Sequence, residues 1–333
     1  MHIKLKETAT PLQVKDVREM LEKSNLGIVE IKDGNNIKLG IIGDSNRFKR
    51  TEIEALDFIE GIYEIKVPYK FVSREFKHED TVIDIRGVKI GGGHFAVMAG
   101  PCSVENRDMI MATAKAVKES GGHFLRGGAF KPRTSPYDFQ GLGEEGLKYM
   151  REAADTYGLL VVTEVMDAKE IELVGQYADM LQVGARNMQN FSLLKELGKT
   201  DKPILLKRGM SATVKDLLMA AEYIVAFGNM EVVFCERGIR TFETMTRNTL
   251  DINAIPLVKE LSHLPIILDA SHGTGKRSLV APGTLAGVAA GADGAMVEIH
   301  PNPEEAFSDG PQSLRFEEFD TLMKKIEKLK EVL

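Results

Sequence analysis

A chain of 333 residues with 43 Lys and Arg against 49 Asp and Glu carries a net charge of −6 and a pI near 5.8, which leaves no general attraction for nucleic acid or an anionic membrane. No apolar run approaches the ~20 residues of a membrane helix, and two cysteines, Cys102 and Cys235, with no CxxC pair, exclude a disulfide framework. The amino terminus lacks the apolar core of a signal peptide, so a reducing cytoplasm is expected, with length enough for one large domain and a small one.

Residues 1–67 read as the small unit. Ile3 to Leu5 predicts a short strand, and Val14, Val17, Met20 and Leu21 mark the buried face of a helix. Gly27 to Ile31, Ile37 to Ile42 and Ile62 to Val67 follow as strands, with a second helix near Glu52 to Phe58. The order is βαββαβ, the ferredoxin-like arrangement. Residues 68–80, with Pro68 and many charges, read as a linker, and a hairpin is expected at the start of residues 81–333, turning at Arg86 and Gly87.

From Phe95 onward, eight short apolar runs begin near residues 95, 123, 159, 179, 203, 231, 265 and 293. Each is followed by an amphipathic or Ala-rich stretch: 105–120, 143–157, 167–177, 190–198, 213–227, 249–260, 281–291 and 314–332. Uniformly apolar strands alternating with helices imply a parallel sheet covered by helices, and eight units match a (β/α)8 TIM barrel in the α/β class. A doubly wound open sheet is the alternative. No GxGxxG follows the first strand, which weakens a dinucleotide-binding version.

Active sites of such barrels lie at the carboxyl ends of the strands. There the sequence places Cys102; Arg126 and Lys131; Glu164; Ala185 and Arg186; Lys207 and Arg208; Glu236 and Arg237; Asp269 and His272; Glu298 and, beyond it, Asp309. Cations brought together cost free energy unless an anion offsets them, so Arg126, Arg186, Lys207 and Arg237 predict an anionic substrate with more than one phosphate or carboxylate. The loop after the second strand adds Lys131, Arg133, Thr134 and Ser135, a set suited to a phosphate. Cys102, His272, Glu298 and Asp309 form a mixed sulfur, nitrogen and oxygen set able to hold Mn, Fe, Co or Zn. Taken singly, each has a structural reading as core or ion pair. Convergence from the first, seventh and eighth strands, neighbours in a closed barrel, favours the metal.

AGPCSVE at 99, GGAFKPRTSPYDFQGLGEEGL at 127, TEVMD at 163, QVGARNMQN at 182, LLKRGM at 205, CERGIRTFE at 235, DASHGTGKR at 269 and EIHPNPEEAFSDGPQSL at 298 together resemble 3-deoxy-D-arabino-heptulosonate 7-phosphate (DAHP) synthases, in the form with an amino-terminal ferredoxin-like regulatory domain. KPRTS is the specific part, since the sister octulosonate 8-phosphate synthases carry Lys-Ala-Asn-Arg-Ser there. Ala270 departs from the pattern, where relatives have Pro before the Ser-His. The resemblance implies condensation of phosphoenolpyruvate with erythrose 4-phosphate, at the head of aromatic amino acid biosynthesis. It implies metal ligation by Cys102, His272, Glu298 and Asp309, and phosphoenolpyruvate held by Arg126, Lys131, Arg186, Lys207 and Arg237 with the Ala185 amide and Glu164 nearby. Arg133, Thr134 and Ser135 would hold the aldose phosphate, with Lys131 as proton donor. A homo-oligomer, expected as a tetramer, and a phenylalanine or tyrosine effector complete the expectations. Three other readings stand against it: the octulosonate synthase acting on arabinose 5-phosphate, a Schiff-base aldolase using Lys131 or Lys207, and a non-catalytic phosphometabolite sensor.

Overall fold

The protein is described here from a computed structural model, for residues 1–131, 135 and 137–333. The small unit comprises β1 (His2–Leu5), α1 (Pro11–Lys23), β2 (Gly27–Asp33), β3 (Asn36–Ile42), α2 (Arg50–Glu54) and β4 (Ile59–Tyr63). Its antiparallel sheet has the order β2-β3-β1-β4. Thr10 starts α1: its hydroxyl accepts from the Gln13 N–H, the Gln13 side chain returns to the Thr10 N–H, and Pro11 occupies a first-turn position that needs no donor. Val14, Val17 and Leu21 then pack on Ile3, Leu5, Leu39, Ile41 and Ile62 in a core of their own. The last strand lies three residues earlier than alternation predicted. A register shift between Lys4 and Leu5 lets Ile59 and Ile62, three apart, both face inward, which a period-two reading cannot register.

Residues 68–80, expected as a linker, pack against the barrel. Tyr69, Phe71, Val72 and Phe76 are buried, and barrel residues bind the chain here. Glu222 accepts the N–H of Phe71 at 2.8 and 3.0 Å and that of Val72 at 3.1 Å, Ser262 donates to the Val72 carbonyl at 2.5 Å, and His263 meets the Phe71 carbonyl at 2.8 Å. Burial pushes the Glu222 carboxyl up to about 7 against the pull of those N–H groups. A raised carboxyl pKa means that the folded state binds more protons. Its stabilising effect is therefore fully present below about 4.5 and lost as pH rises through about 7. In Glu222→Gln this dependence disappears, so the difference in melting temperature between wild type and variant is expected to shift against wild type from pH 4.5 to 8. A difference independent of pH would show that Glu222 does not titrate in this range.

The hairpin β5 (Ile83–Ile85) and β6 (Val88–Ile90) turns through Arg86 at φ 52° and Gly87 at φ 93°. Its Ile83, Ile85 and Ile90 join Ala96, Met98, Phe124 and Cys235 inside the barrel and close its amino-terminal end. The barrel strands are β7 (Ala96–Gly100), β8 (Phe124–Arg126), β9 (Leu160–Glu164), β10 (Met180–Val183), β11 (Ile204–Lys207), β12 (Val232–Glu236), β13 (Ile266–Asp269) and β14 (Gly294–Glu298). They form one closed parallel sheet, sealed where β14 pairs with β7 from Gly294 opposite Ala96 to Glu298 opposite Gly100. Around it lie α3 (Arg107–Glu119), α4 (Glu144–Tyr157), α5 (Ile171–Tyr177), α6 (Phe191–Leu197), α7 (Val214–Ala226), α8 (Ala254–Leu261), α9 (Ala270–Thr274), α10 (Arg277–Ala289) and α11 (Phe316–Lys330). The open-sheet alternative is excluded.

Several helices depart from the sequence reading: α8, for one, starts five residues after the expected 249. The short α9 was not expected; Asp269 creates it by accepting the His272 N–H. Ala270 occupies its first position, where proline and alanine both fit because the N–H has no intrahelical partner. Helix α10 begins four residues before the expected 281, so Pro282 lies inside it. Among the described residues no helix is long and apolar enough to cross a membrane.

Candidate active site at the barrel mouth

The carboxyl ends of the strands converge on one cavity lined by Arg126, Lys131, Glu164, Arg186, Lys207 and Arg237, with Gln182, Ala185, Met210, Arg247, His272 and Asp309 completing most of its wall. Strand ends approach closely here. A Cβ at Gly100, where φ is +151°, would stand 1.9 Å from the Arg126 carbonyl oxygen, so only glycine lets β7 end beside β8 and deliver Cys102 to the mouth.

Cys102, His272, Glu298 and Asp309 come together as the sequence suggested, with one ligand atom from each all within 4.8 Å of one another. Cys102 Sγ lies 3.1 Å from Asp309 Oδ2 and 3.0 Å from Lys131 Nζ. His272 Nδ1 lies 2.7 Å from Asp269 Oδ2, which places its Nε2 3.3 Å from Glu298 Oε1 and 3.9 Å from Asp309 Oδ2. Burial lowers the His272 pKa against the pull of Asp269 and Glu298, and with Nδ1 turned to Asp269 the ring presents Nε2 to the cluster. Burial, with the Glu298 charge, pushes the Cys102 thiol up to about 12. A thiolate at this place therefore needs a cation beyond Lys131 and Arg126. For Asp309, burial is outweighed by His272 and Arg247, which hold its carboxyl well below the usual carboxylate range. Its backbone is left-handed, with φ 54°, a conformation aspartate tolerates better than most residues. One sulfur, one imidazole nitrogen and two carboxylates, clustered and mostly buried, fit a divalent transition ion.

The cations divide into two groups. Arg126 donates to the Pro101 carbonyl at 2.8 Å and to Glu298 Oε1 at 2.7 Å, and Lys207 donates to Asp269 Oδ2 at 2.5 Å. Burial opposes the charge on Arg126, but Glu298 and its neighbours overcome it and raise its pKa. Arg237 has weaker support. It is 4 % exposed, burial lowers its pKa against the pull of Asp269, and its Nε and Nη1 have no hydrogen-bond partner among the described residues. A buried guanidinium left in that state suits an anion. Arg208, by contrast, turns away to Glu236 and Asp251, both at 2.8 Å, and is structural. Glu164 Oε2 accepts from Gln182 Nε2 at 3.2 Å.

Arg133 and Thr134 lie outside the described residues. Ser135 is not among the lining residues; its Oγ accepts from the Tyr137 N–H at 3.3 Å. Sequence reasoning missed Arg247 and Gln312, which link two of the candidate ligands. Nothing in the polar run 240–248 distinguishes Arg247 from Arg240.

Residues 75–333 match the model of the DAHP synthetase I family. Over all 333 residues the chain is 51 % identical to the phospho-2-dehydro-3-deoxyheptonate aldolase of Thermotoga maritima, covering 98 % of it. A crystal structure of that DAHP synthase aligns with 99 % of this chain and 97 % of its own at a TM-score of 0.79 and 50 % identity. The 2-dehydro-3-deoxyphosphooctonate aldolase of Syntrophobacter fumaroxidans is 32 % identical over 261 residues, 73 % of this chain and 90 % of its own length.

Proposed function

Because the chain belongs to the DAHP synthetase I family, we propose that its barrel mouth joins phosphoenolpyruvate to D-erythrose 4-phosphate and water, releasing phosphate and DAHP. This is the entry reaction of the shikimate route to aromatic amino acids. The observation that carries the site assignment is a buried cation, Arg237, whose Nε and Nη1 have no partner among the described residues, lining the same cavity as His272 and Asp309 of the S/N/O/O cluster.

Phosphoenolpyruvate brings a phosphate and a carboxylate, and Arg186, Lys207, Arg237 and the Ala185 amide are the groups that would hold them. Arg133, Thr134 and Ser135 would hold the phosphate of the aldose. A divalent ion bound by Cys102, His272, Glu298 and Asp309 would act as a Lewis acid on the aldehyde oxygen. C3 of phosphoenolpyruvate attacks the aldehyde carbon, forming the new carbon–carbon bond, and Lys131 Nζ supplies the proton that the new hydroxyl takes up. Water adds at C2, and the bond from C2 to the phosphate oxygen breaks. Lys207 Nζ is taken up by Asp269 Oδ2 at 2.5 Å, which argues against its use as a Schiff-base nucleophile. The 51 % identity to the heptonate enzyme against 32 % to an octonate enzyme favours the four-carbon aldose.

The small amino-terminal unit has its own core and, among the described residues, supplies none to the mouth. We infer that it is regulatory, with phenylalanine or tyrosine as effector. One assay tests these readings: phosphate release from phosphoenolpyruvate with erythrose 4-phosphate or arabinose 5-phosphate, each with and without chelator, and with millimolar aromatic amino acid. Activity with the four-carbon sugar alone, lost in chelator and reduced by phenylalanine or tyrosine, is expected. Preference for arabinose 5-phosphate would overturn the substrate, and indifference to both amino acids would overturn the regulatory role.

A further inference from the structure

Beyond the four ligands, we infer that Gln312 is a positioning residue that fixes which oxygen each carboxylate ligand presents, through an amide whose own orientation is set by Arg247. This rests on the metal reading above.

Gln312 closes the single turn Gly310–Gln312 directly after Asp309 and is 2 % exposed. Its Nε2 donates to Glu298 Oε2, and its Oε1 accepts from Arg247 Nη1 at 2.9 Å. The same Nη1 donates to Asp309 Oδ1 at 3.0 Å. A continuous chain therefore runs from Glu298 through Gln312 and Arg247 to Asp309. Its polarity is forced: guanidinium can only donate and carboxylate can only accept, so the amide must turn its oxygen to Arg247 and its NH₂ to Glu298.

The chain takes one oxygen from each carboxylate and leaves the other. Glu298 Oε2 is held by Gln312, while Oε1 faces His272 Nε2 at 3.3 Å and Arg126 at 2.7 Å. Asp309 Oδ1 is held by Arg247, while Oδ2 faces Cys102 Sγ at 3.1 Å. Each carboxylate thus offers a single oxygen to the cluster. Without the amide, Glu298 could rotate and offer both, which changes coordination number and geometry. Groups that orient ligands in this way typically contribute 10- to 100-fold to metal affinity. The amide does so without adding a charge beside two carboxylates.

The test uses the full chain freed of metal, titrated with Co(II) against a competing chelator and followed by the Co(II) absorption bands. Gln312→Glu keeps the shape and the acceptor facing Arg247 but sets an oxygen against Glu298 Oε2. Its Co(II) affinity is expected to fall about 10- to 100-fold with altered band positions, in protein whose circular dichroism spectrum matches wild type. Should that variant fail to fold, Gln312→Asn, one methylene too short to span both partners, is measured instead. Unchanged affinity and spectrum in a folded variant overturns the inference while leaving the metal reading intact. Wild-type protein that binds no Co(II) overturns the metal reading, and this one with it.

Discussion

Alanine at His272 is expected to lower turnover about a thousandfold, the equivalent of about 4 kcal/mol of lost transition-state stabilisation, with bound divalent metal falling in parallel. The ring is held from two directions, because Asp269 accepts both its Nδ1–H at 2.7 Å and its backbone N–H at 3.0 Å. Removing the imidazole leaves Asp269 paired with Lys207 at 2.5 Å, so no buried carboxylate is stranded and the fold survives. Metal content by elemental analysis and phosphate release by continuous assay check this. A folded His272→Ala enzyme that keeps full activity in strong chelator would sink the metal assignment.

Lys131→Met is expected to lower kcat by about 10²- to 10⁴-fold, the range for loss of a positioned proton donor. The ammonium has a second possible role, since Nζ sits 3.0 Å from Cys102 Sγ and 2.7 Å from the Cys102 carbonyl, where its charge favours the thiolate. The two roles separate in one preparation. A proton donor, once lost, leaves the variant loaded with metal but slow; a thiolate partner, once lost, leaves it metal-poor, with activity restored by excess ion. Restoration by metal would show that Lys131 acts through Cys102 and not on the substrate.

The barrel was legible because strands buried on both faces are written as unbroken apolar runs such as LLVVTE and PILLKR, each ending on a polar residue at the mouth. That same rule gathered the four ligand candidates, since placement at strand ends needs only topology. Adjacent polar residues were harder to assign. Of Lys207 and Arg208, successive residues that point to opposite sides, only the first lines the cavity, and local sequence does not say which. The burial of residues 68–80 was illegible because their charges were visible while the carboxylate that captures the backbone, Glu222, lies about 150 positions away. Arg247 and Gln312 were illegible for the same reason: their chemistry exists only once distant loops meet. The misplaced fourth strand had a local cause, the register shift opposite Leu5.

The seam between β7 and β14 also sets when the four candidate ligands can first meet during synthesis. Cys102 follows the first barrel strand, whereas Glu298 ends the last and Asp309 comes later still. About 200 residues separate the cysteine from these partners, a span that a ribosome needs roughly 10–40 s to traverse. Throughout that interval the nascent chain holds a thiol with no carboxylate beside it, open to oxidation and to adventitious metals. A polypeptide released early cannot complete the ligand set, whatever fraction of its helices has formed. A metal held by all four residues would therefore bind full-length chains alone, and oxidation of Cys102 is expected to concentrate in unfinished molecules, which peptide mass spectrometry of nascent and mature chains would check.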